Sequence, residues 1–440
     1  MAKASKNQDA WDVVVIGGGP AGMMAAGTAG ANGKKVLLLE KNASLGKKLL
    51  ITGGGRCNVT NAETDTRKLL EKFGDDGKFL FSAFSQFGIT ETLEFFNSHG
   101  MATKVENELR VFPISDKAQS VWNVLNDYMR EGKVVIKTYT PVENFVMTKD
   151  GSIESVRIMG DEIKAKSFIL ATGGKSHPET GSTGDGFGWL KELGHKVMES
   201  NPSLVPVKLS EPWAKELSGI SLPMVKLTLM QGNTHPYSAT TALKLRSAGK
   251  ASKGKKGKIL FTHFGISGPA VLNMSGEIRE RLEYAPVTLV ADLLPTLDHK
   301  QVDTAILESF QGEINKKFKN ISTKLLPDKL MQALGLLVGI DPETPCHSVN
   351  REARLKLVQL IKTLPLHVSG LLGLEKAVIT SGGIALEEVD FKTMRSRKIP
   401  NLFVTGDILN IARPTGGYSL QLCWTTGFVA GQNASANKLD

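Results

Sequence analysis

The chain has 440 residues, of which 54 are Lys or Arg and 44 are Asp or Glu, so its formal net charge is +10. This length allows two or three domains with large cores, and the positive charge favours an anionic partner. Residues 1–11 are polar and no apolar run is long enough to span a bilayer. These features argue against a signal peptide and a membrane span, and they predict a cytoplasmic protein.

The three cysteines, Cys57, Cys346 and Cys423, lie far apart in the sequence and form no Cys-X-X-Cys pair. This spacing argues against a zinc ribbon and against a dithiol redox centre, so we expect no metal site. Free cysteines are typical of a reducing compartment, which agrees with the expected cytoplasmic location.

The first predicted unit is a strand at residues 13–16, a glycine-rich turn, and a helix of small residues from 21 to about 30. The turn carries the Gly-X-Gly-X-X-Gly spacing at Gly17, Gly19 and Gly22. In a dinucleotide-binding turn the first glycine allows the bend, the second lets a diphosphate approach, and the third lets the helix pack on the strand. Free N–H groups at the helix N-terminus would then hold the phosphates.

A second strand is predicted at residues 36–39 and ends at Glu40. About 20 residues after the glycine turn, an acid is well placed to accept a hydrogen bond from a ribose hydroxyl. Strand, turn, helix and acid together predict a dinucleotide site, and the alternative is a glycine-rich turn without a ligand.

The next segment, residues 41–61, contains the run Gly53-Gly54-Gly55-Arg56-Cys57-Asn58. Three consecutive glycines predict a loop whose backbone lies against something flat or charged, and we expect this loop to border the cofactor. Helices are predicted at residues 78–87, 90–99 and 117–131.

Two later segments predict that the dinucleotide is FAD. Residues 134–170 have a period of two, which predicts a three-stranded antiparallel meander that runs into Ala171-Thr172-Gly173-Gly174. In flavoproteins with two dinucleotide-binding domains, this turn returns the chain to FAD. Near the C-terminus a strand at 401–404 precedes Asp407, which is expected to accept hydrogen bonds from the ribityl chain. Residues 415–421 then open a helix whose N–H groups would stabilise the reduced ring.

Between about residues 202 and 377 another domain interrupts this fold. Strands predicted at 205–209, 225–230, 258–261 and 287–291 indicate a small β domain of barrel type, and residues 298–362 are predicted helical. The predicted fold class is therefore α/β: a Rossmann-like FAD-binding domain interrupted by a small β-barrel-like domain and a small helical domain. The predicted boundaries are 10–200 and 379–437 for the FAD domain, 201–297 for the barrel, 298–362 for the helical subdomain and 363–378 for a return strand.

Residues 244–258 contain seven basic residues and no acidic one, with Gly, Ser and Ala between them. Such a segment cannot pack a core, so it is predicted to be a mobile basic loop. A loop of this kind suits contact with a phosphate backbone, and a solvated linker is the alternative.

Four motifs together resemble one known family. They are G-G-G-R-C-N-V-T-N at 53–61, A-T-G-G at 171–174, F-T-H-F-G-I-S-G-P at 261–269 and T-G-D-I-L-N-I-A-R-P-T-G-G-Y-S-L-Q at 405–421. With them the chain resembles the BaiN/RdsA family of NAD(P)/FAD-dependent oxidoreductases over residues 12 to about 431.

The resemblance implies an FAD-dependent reductase, with NAD(P)H as its transient reductant, and two substrate classes. One branch is linked to reduction of uridine to dihydrouridine in large-subunit ribosomal RNA, and the other to reduction of steroid intermediates. The basic segment favours the RNA branch. The alternatives are a small-molecule ene or keto reductase and an FAD-containing RNA-binding or partner-binding protein without turnover. The oligomeric state is left open.

The predicted cofactor-binding residues lie in the segments described above. They are Gly17, Gly19, Pro20, Ala21, Gly22, Glu40, Lys41, Lys48, Gly54, Gly55, Arg56, Asn58, Ala171, Thr172, Gly173, Gly406, Asp407, Gly416, Gly417, Tyr418, Ser419 and Leu420. For Arg56 a surface salt bridge is the alternative, and for Tyr418 an ordinary packed ring.

Adding hydrogen across a uracil double bond requires a proton donor in addition to the hydride. Cys57 is the first candidate because its loop is expected to lie against the cofactor, and a buried structural cysteine is the alternative. His263 and His177 are the other candidates, each with a structural histidine as the alternative.

Overall fold

The structure is a computed structural model that describes residues 10–231, 252, 254–312, 314 and 316–436. It divides into two compact units. The first comprises the residues up to Pro202 together with those from Ala377 onward, and the second is Ser203–Lys376. The two ends of the chain therefore build one unit, and the second unit is inserted between them.

Strands occur in both units of the chain. In order they are β1 (Trp11–Ile16), β2 (Val36–Leu39), β3 (Thr60–Asn61), β4 (Thr103–Glu106), β5 (Arg110–Pro113), β6 (Val135–Lys137), β7 (Asn144–Met147), β8 (Ile153–Ile158), β9 (Asp161–Leu170), β10 (Val197–Ser203), β11 (Val207–Leu209), β12 (Ser221–Gln231), β13 (Lys255–Thr262), β14 (Gly265–Ser267), β15 (Val287–Asp292), β16 (Leu364–Leu371), β17 (Ile379–Ile384) and β18 (Leu402–Val404).

The α-helices of the described residues are α1 (Pro20–Ala31), α2 (Lys47–Ile51), α3 (Thr66–Glu71), α4 (Gly77–Gln86), α5 (Ile89–Ser98), α6 (Ala118–Glu131), α7 (Asp185–Glu192), α8 (Pro212–Glu216), α9 (Pro269–Leu272), α10 (Ser275–Leu282), α11 (His299–Gly312), α12 (Asp328–Leu337), α13 (Arg351–Lys362) and α14 (Tyr418–Ala434). The predicted helices at 78–87, 90–99 and 117–131 agree with α4, α5 and α6 to within one residue at each end.

The first unit is built on a sheet with the order β6-β2-β1-β9-β8-β7, and β18 pairs with β9. Strands β6, β2, β1, β9 and β18 run parallel. Val13, Val14 and Val15 of β1 have no exposed surface, as expected for a parallel strand that is covered on both faces.

The first and last helices of the chain, α1 and α14, pack against each other at very short range. A Cβ atom built on Gly427 would lie 2.5 Å from the Ala21 carbonyl oxygen, and one on Gly431 would lie 2.4 Å from the Ala25 carbonyl oxygen. Glycine at both positions therefore lets the two backbones touch, which joins the N-terminal and C-terminal parts of the unit.

The second unit contains a closed barrel with the order β11-β14-β13-β12-β15-β16. Helices α11, α12 and α13 share one hydrophobic core with the barrel, through residues such as Ile306, Leu334 and Ile361. The predicted helical segment is thus part of the same compact unit as the barrel. The predicted α/β class with a barrel-like insertion is confirmed.

Two local predictions need correction. Residues 135–137 do not belong to the meander, which consists of β7, β8 and β9, because β6 pairs in parallel with β2 instead. In the predicted basic loop at 244–258, residues 244–251 and 253 lie outside the described residues, but Lys255 and Lys256 belong to strand β13, which begins three residues before the strand predicted at 258–261. Cross-strand pairing with β12 orders these lysines despite their composition.

None of the described helices is long and apolar enough to cross a membrane.

Candidate functional site

The glycine turn after β1 contains two glycines that the backbone packing requires and one that faces open space. Gly17 has a φ of +105°, and a Cβ atom on it would lie 2.5 Å from the Ala171 carbonyl oxygen. A Cβ atom on Gly22 would lie 1.9 Å from the Gly17 carbonyl oxygen. Gly19 has an ordinary φ of −78°, and a Cβ atom placed on it would have no atom within 4 Å. Gly17 and Gly22 therefore hold the turn together, whereas Gly19 leaves room for a ligand at the N-terminus of α1.

Glu40 follows β2 and is almost fully buried. Its Oε2 accepts from the Gly18 N–H at 2.7 Å, and its Oε1 accepts from the Asn42 N–H at 2.8 Å and from Asn42 Nδ2 at 2.7 Å. The carboxylate therefore fixes the turn and the following loop to each other. Its remaining lone pairs can accept a further hydrogen bond, so the predicted contact to a ribose hydroxyl stays a prediction.

An open cavity with about 920 Å³ of empty space lies above the carboxyl ends of β1, β2 and β9. This is the edge at which open parallel sheets bind ligands. The lining includes the following predicted residues: Gly17, Gly19, Pro20, Ala21, Glu40, Lys41, Lys48, Ala171, Thr172, Gly173 and Asp407.

Sequence reasoning missed several other residues of the lining. They include Gly18, Asn42, Lys47, Thr140, Ser182, Asp185, Trp189, Thr405 and Cys423. Gly18 could have been found, because it stands inside the glycine motif. In the structure a Cβ atom there would meet Leu45 at 2.3 Å. For Thr140, Asp185 and Trp189 no local pattern exists, since they reach the cavity only through the sheet order.

Arg413 is buried and orders the loop that leads into α14. Its Nη2 donates to Asp407 Oδ1, its Nε donates to Ser419 Oγ at 3.0 Å, and its Nη1 donates to the Ile411 carbonyl at 2.8 Å. The guanidinium thus connects the turn after β18 with the first turn of the last helix. The predicted residue Ser419 is held by this arginine and is not part of the cavity lining.

Lys48 lies on the other side of Asp407. Its Nζ is 3.8 Å from Asp407 Oδ2 and donates to Ser176 Oγ at 2.6 Å. Burial lowers the pKa of the Lys48 ammonium, and the nearby Asp407 carboxylate opposes this effect. One carboxylate between the cations of Lys48 and Arg413 leaves excess positive charge on this wall, which suits an anionic ligand.

Lys41 is at the rim of the same cavity. Its Nζ donates to Asp185 Oδ2 at 2.6 Å and to Thr183 Oγ1 at 2.5 Å. Hydrogen bonding by Lys41 holds the pKa of the Asp185 carboxyl below its usual range, although burial acts in the opposite direction. The pair is partly exposed, so we expect it to contribute little to stability.

The glycine loop follows α2 and has left-handed backbone at Gly53, Gly54, Gly55 and Cys57. Gly54 and Gly55 are exposed and outside the cavity lining, and a Cβ atom on either of them would have no atom within 4 Å. The Asn58 Oδ1 atom is buried and has no hydrogen-bond partner among the described residues.

Arg56 does not face the cavity. Its guanidinium lies 4.1 Å above the Phe112 ring and pairs with Glu106 and Asp116, both at 2.5 Å. Hydrogen bonds to these two carboxylates raise the pKa of Arg56. This is the surface ion-pair arrangement that the sequence left open as the alternative to cofactor contact.

Apart from Gly22, which belongs to α1, the remaining predicted residues lie in the turn after β18 or at the start of α14. Gly406, Gly416, Gly417 and Leu420 do not line the cavity, and neither does Gly22. Tyr418 is buried and makes an edge-to-face contact with Phe73 at a centroid distance of 5.9 Å, so its ring is packed in the core.

Comparison with known proteins now identifies the family. A family model described as HI0933-like protein Rossmann domain matches residues 11–433. The chain belongs to the HI0933-like family. The BaiN/RdsA resemblance inferred from the motifs is thereby confirmed, since relatives from both branches match over nearly the whole chain.

Three relatives are similar over almost their entire length. The 3-dehydro-bile acid delta(4,6)-reductase of Clostridium scindens is 30% identical to this chain, and the alignment covers 96% of this chain and 98% of the reductase. The ribosomal RNA dihydrouridine synthase of Escherichia coli is 28% identical over 97% of this chain and 99% of its own, and that of Haemophilus influenzae is 27% identical over 96% and 98%.

Solved structures share the fold at low identity. The 3-ketosteroid-delta4-(5alpha)-dehydrogenase of Rhodococcus jostii RHA1 aligns with a TM-score of 0.55 and 16% identity over 99% of both chains. A flavocytochrome c3 fumarate reductase in an open conformation aligns with a TM-score of 0.53 and 17% identity over 99% of this chain and 80% of its own. The HI0933-like family is one of flavoprotein oxidoreductases, and the relatives named above are a reductase and two dihydrouridine synthases.

The cavity of this family member fits FAD. Gly19 leaves the N-terminus of α1 open to a diphosphate, Lys48 adds positive charge, and Glu40 has a free lone pair for a ribose hydroxyl. Thr172 Oγ1 lines the cavity, is buried and has no partner among the described residues. A buried hydroxyl without a partner is unfavourable and is satisfied by a polar ligand.

The structure places the three candidate proton donors in different environments. His177 has a left-handed backbone and its Nδ1 is 2.8 Å from Glu179 Oε1, three residues before the lining residue Thr180. His263 is exposed in the turn between β13 and β14, in the second unit, and packs edge-to-face on Phe264. Cys57 lies in the core of the first unit with no exposed surface. Their catalytic roles stay predictions.

Cys57 is poorly suited to exchange protons with a substrate, because burial raises the pKa of its thiol to about 12. All three cysteines are buried, and none of them forms a disulfide. We therefore expect Cys57 and Cys346, which do not line the cavity, not to react with a thiol reagent such as DTNB within minutes in the native protein, and all three cysteines to react in denaturant. Rapid labelling of Cys57 in the native protein, identified by peptide mass spectrometry, would contradict its burial.

Proposed function

We propose that this chain is an FAD-dependent reductase that converts uridine to dihydrouridine in large-subunit ribosomal RNA. The observation that carries the choice of substrate is the excess of basic residues, +10 overall, with seven of them between Lys244 and Lys258 and no acid. Two relatives over nearly the full length are named ribosomal RNA dihydrouridine synthase. A large surplus of positive charge is the general requirement for binding a phosphate backbone.

The residues of the cavity have defined tasks in this reaction. FAD, when bound, supplies the hydride chemistry. The backbone at Gly19 and the N-terminus of α1 hold the diphosphate, and Glu40 holds the ribose. Lys48, Asp407 and Arg413 set the charge of the wall, and Asp407 Oδ2 remains available to accept from a ligand hydroxyl.

The reaction also requires a proton at the second uracil carbon. His177 is our first candidate for this proton, because its ring is partly exposed beside residues that line the cavity and Glu179 orients it through Nδ1. NAD(P)H is our proposed source of electrons. It would bind transiently, since the sequence contains no second Gly-X-Gly-X-X-Gly unit within the insertion.

Mass spectrometry of nucleosides from large-subunit ribosomal RNA tests the proposal. A strain that lacks the gene is expected to lose dihydrouridine at one or more sites, and the wild-type gene is expected to restore it. A Gly19→Val variant that folds but cannot hold FAD is the matched control and is expected not to restore it. Unchanged dihydrouridine in the deletion strain would refute this substrate.

The second candidate function is reduction of a small unsaturated or keto substrate such as a steroid enone. The Clostridium scindens bile acid reductase has the higher identity, 30%, against 28% and 27% for the two dihydrouridine synthases. If the purified holoenzyme oxidises NADH or NADPH with a 3-keto-4-ene steroid and leaves RNA unchanged, this function replaces the first. A bound flavin that neither nucleotide reduces would instead indicate a binding protein without turnover.

A further inference from the structure

Three exposed lysines lie together on the outer face of the barrel. Lys226 on β12 and Lys256 on β13 are direct cross-strand partners in the antiparallel register, and Lys258 lies two residues further along β13 on the same face. The neighbouring residues Val225, Leu227, Gly257 and Ile259 are buried, so the alternation turns the three lysines to solvent. We call Lys226, Lys256 and Lys258 the lysine face.

No carboxylate neutralises the lysine face among the residues that the structure describes. Asp292 on β15 is the other cross-strand partner of Lys226, but its carboxylate pairs with Lys362 Nζ at 2.8 Å. The neighbouring Lys255 behaves differently, since its Nζ donates to the Asn273 carbonyl at 2.7 Å. The three ammonium groups of the lysine face therefore have no ion-pair partner among the described residues.

This arrangement is unfavourable for folding by itself. Like charges directly opposite each other in an antiparallel pair destabilise a sheet, and Lys226 and Lys256 are such a pair. Uncharged polar residues would occupy the same exposed positions without repulsion. An anion that contacts all three ammonium groups would remove the repulsion, and a polymer with repeated anionic groups reaches all three at once.

We propose that the lysine face binds the phosphate backbone of the RNA substrate. This inference rests on the proposed function and adds to it a surface of the barrel that the basic segment at 244–258 does not define, because Lys226 is on another strand. Each lysine contacts phosphates without reading the base, so the surface contributes affinity and orientation and leaves recognition of the target uridine to the cavity.

The test is a triple variant, Lys226→Gln, Lys256→Gln and Lys258→Gln, in the full-length holoenzyme. The matched control changes three other exposed lysines without an ion pair in the described structure, Lys72, Lys191 and Lys329, to Gln, so that both proteins lose the same charge. Binding of a fluorescently labelled single-stranded RNA of about 20 nucleotides is followed by anisotropy between about 50 and 300 mM KCl, a range over which phosphate contacts give a measurable slope.

We expect the lysine-face variant to bind RNA at least about tenfold more weakly at physiological salt, and its slope of log Kd against log salt to fall by about 2. The control variant is expected to keep nearly the wild-type slope. Because the repulsion is removed, the lysine-face variant is also expected to unfold at the same or higher urea concentration than the wild type. Weaker binding together with unimpaired stability distinguishes a binding surface from a structural one.

The possible outcomes test the proposed binding surface independently of the proposed reaction. If the lysine-face variant binds RNA as tightly as the wild type, the surface is refuted, whether or not dihydrouridine forms. If both variants lose affinity equally, overall charge is responsible and the surface is again refuted. If binding depends on the lysine face but deletion leaves ribosomal dihydrouridine unchanged, the surface stands and the proposed reaction fails. Preference for anionic lipid vesicles over RNA would also refute the proposal.

Discussion

Replacement of Gly19 by Val is expected to abolish FAD binding and to leave the apoprotein folded. Gly19 has a φ of −78° and a ψ of −180°, which valine adopts readily, and no atom lies within 4 Å of a Cβ atom at this position. The added Cβ atom therefore meets no protein atom, and the side chain occupies the space at the N-terminus of α1 where a diphosphate would bind. The absorbance ratio at 450 and 280 nm after reconstitution with FAD, together with the urea midpoint of the apoprotein, measures both effects.

Gly22→Val is the matched control, with the same chemical change three residues further along the chain. A Cβ atom at Gly22 would lie 1.9 Å from the Gly17 carbonyl oxygen and 3.2 Å from the Ala171 Cβ. The helix cannot keep its place against the strand, so we expect a loss of about 3 kcal/mol or more in the free energy of unfolding of the apoprotein. If Gly19→Val binds FAD like the wild type, the cavity is not the dinucleotide site.

Replacement of Arg413 by Met is expected to lower the free energy of unfolding of the apoprotein by about 3–5 kcal/mol, because a largely buried carboxylate loses its hydrogen-bonded partner and keeps only the Lys48 ammonium at 3.8 Å. The guanidinium side chain is 1% exposed and the Asp407 side chain 14%. The substitution also removes the hydrogen bonds that Arg413 donates to Ser419 Oγ and to the Ile411 carbonyl. Equilibrium urea unfolding of the apoprotein measures the effect without interference from bound FAD.

Two further variants test whether the Asp407 carboxylate, left without its arginine partner, causes this loss of stability. Asp407→Asn in the Arg413→Met background is expected to recover part of the stability, since no buried anion remains, and the double-mutant cycle gives the coupling between the two residues. Arg413→Lys restores the charge but not the three directed hydrogen bonds, so we expect an intermediate value. A loss below about 1 kcal/mol for Arg413→Met would contradict the buried pair, because such a value is typical of exposed pairs.

Much of the first unit follows from local sequence patterns. The β-branched run in β1, the glycine spacing and the small residues of α1 each depend on contacts between near neighbours in the chain. The amphipathic helices α4, α5 and α6 were predicted for the same reason, since a helical period of 3.6 residues is visible in any short window.

The role of single polar residues was less predictable. Arg56 stands beside a glycine run in a motif, yet it pairs with Glu106 and Asp116, which are 50 and 60 residues away. Tyr418 follows two glycines at a helix start, yet it packs on Phe73. In both cases the partner is set by the packing of α2 and α14 against other elements, which no window around the residue contains.

In the second unit, too, composition was not sufficient to predict where charged residues lie. Composition alone predicts a loop through residue 258, whereas pairing with β12 makes Lys255–Thr262 a strand. The juxtaposition of Lys226 and Lys256 depends on strand register, and register is a relation between segments about 30 residues apart.

By itself, the amino-acid sequence determined the dinucleotide-binding unit at the N-terminus, the insertion between two halves of one domain, and the family. These features are encoded in the hydrophobic periodicity of short segments and in short motifs, because they depend on backbone conformation and on packing between residues that are close in sequence. Only the tertiary structure decided which side chains reach the cavity, which of them are already paired, and which lysines share a face. Those properties depend on sheet order and register, through which residues such as Lys48, Ser176 and Asp407 meet although they are more than a hundred positions apart.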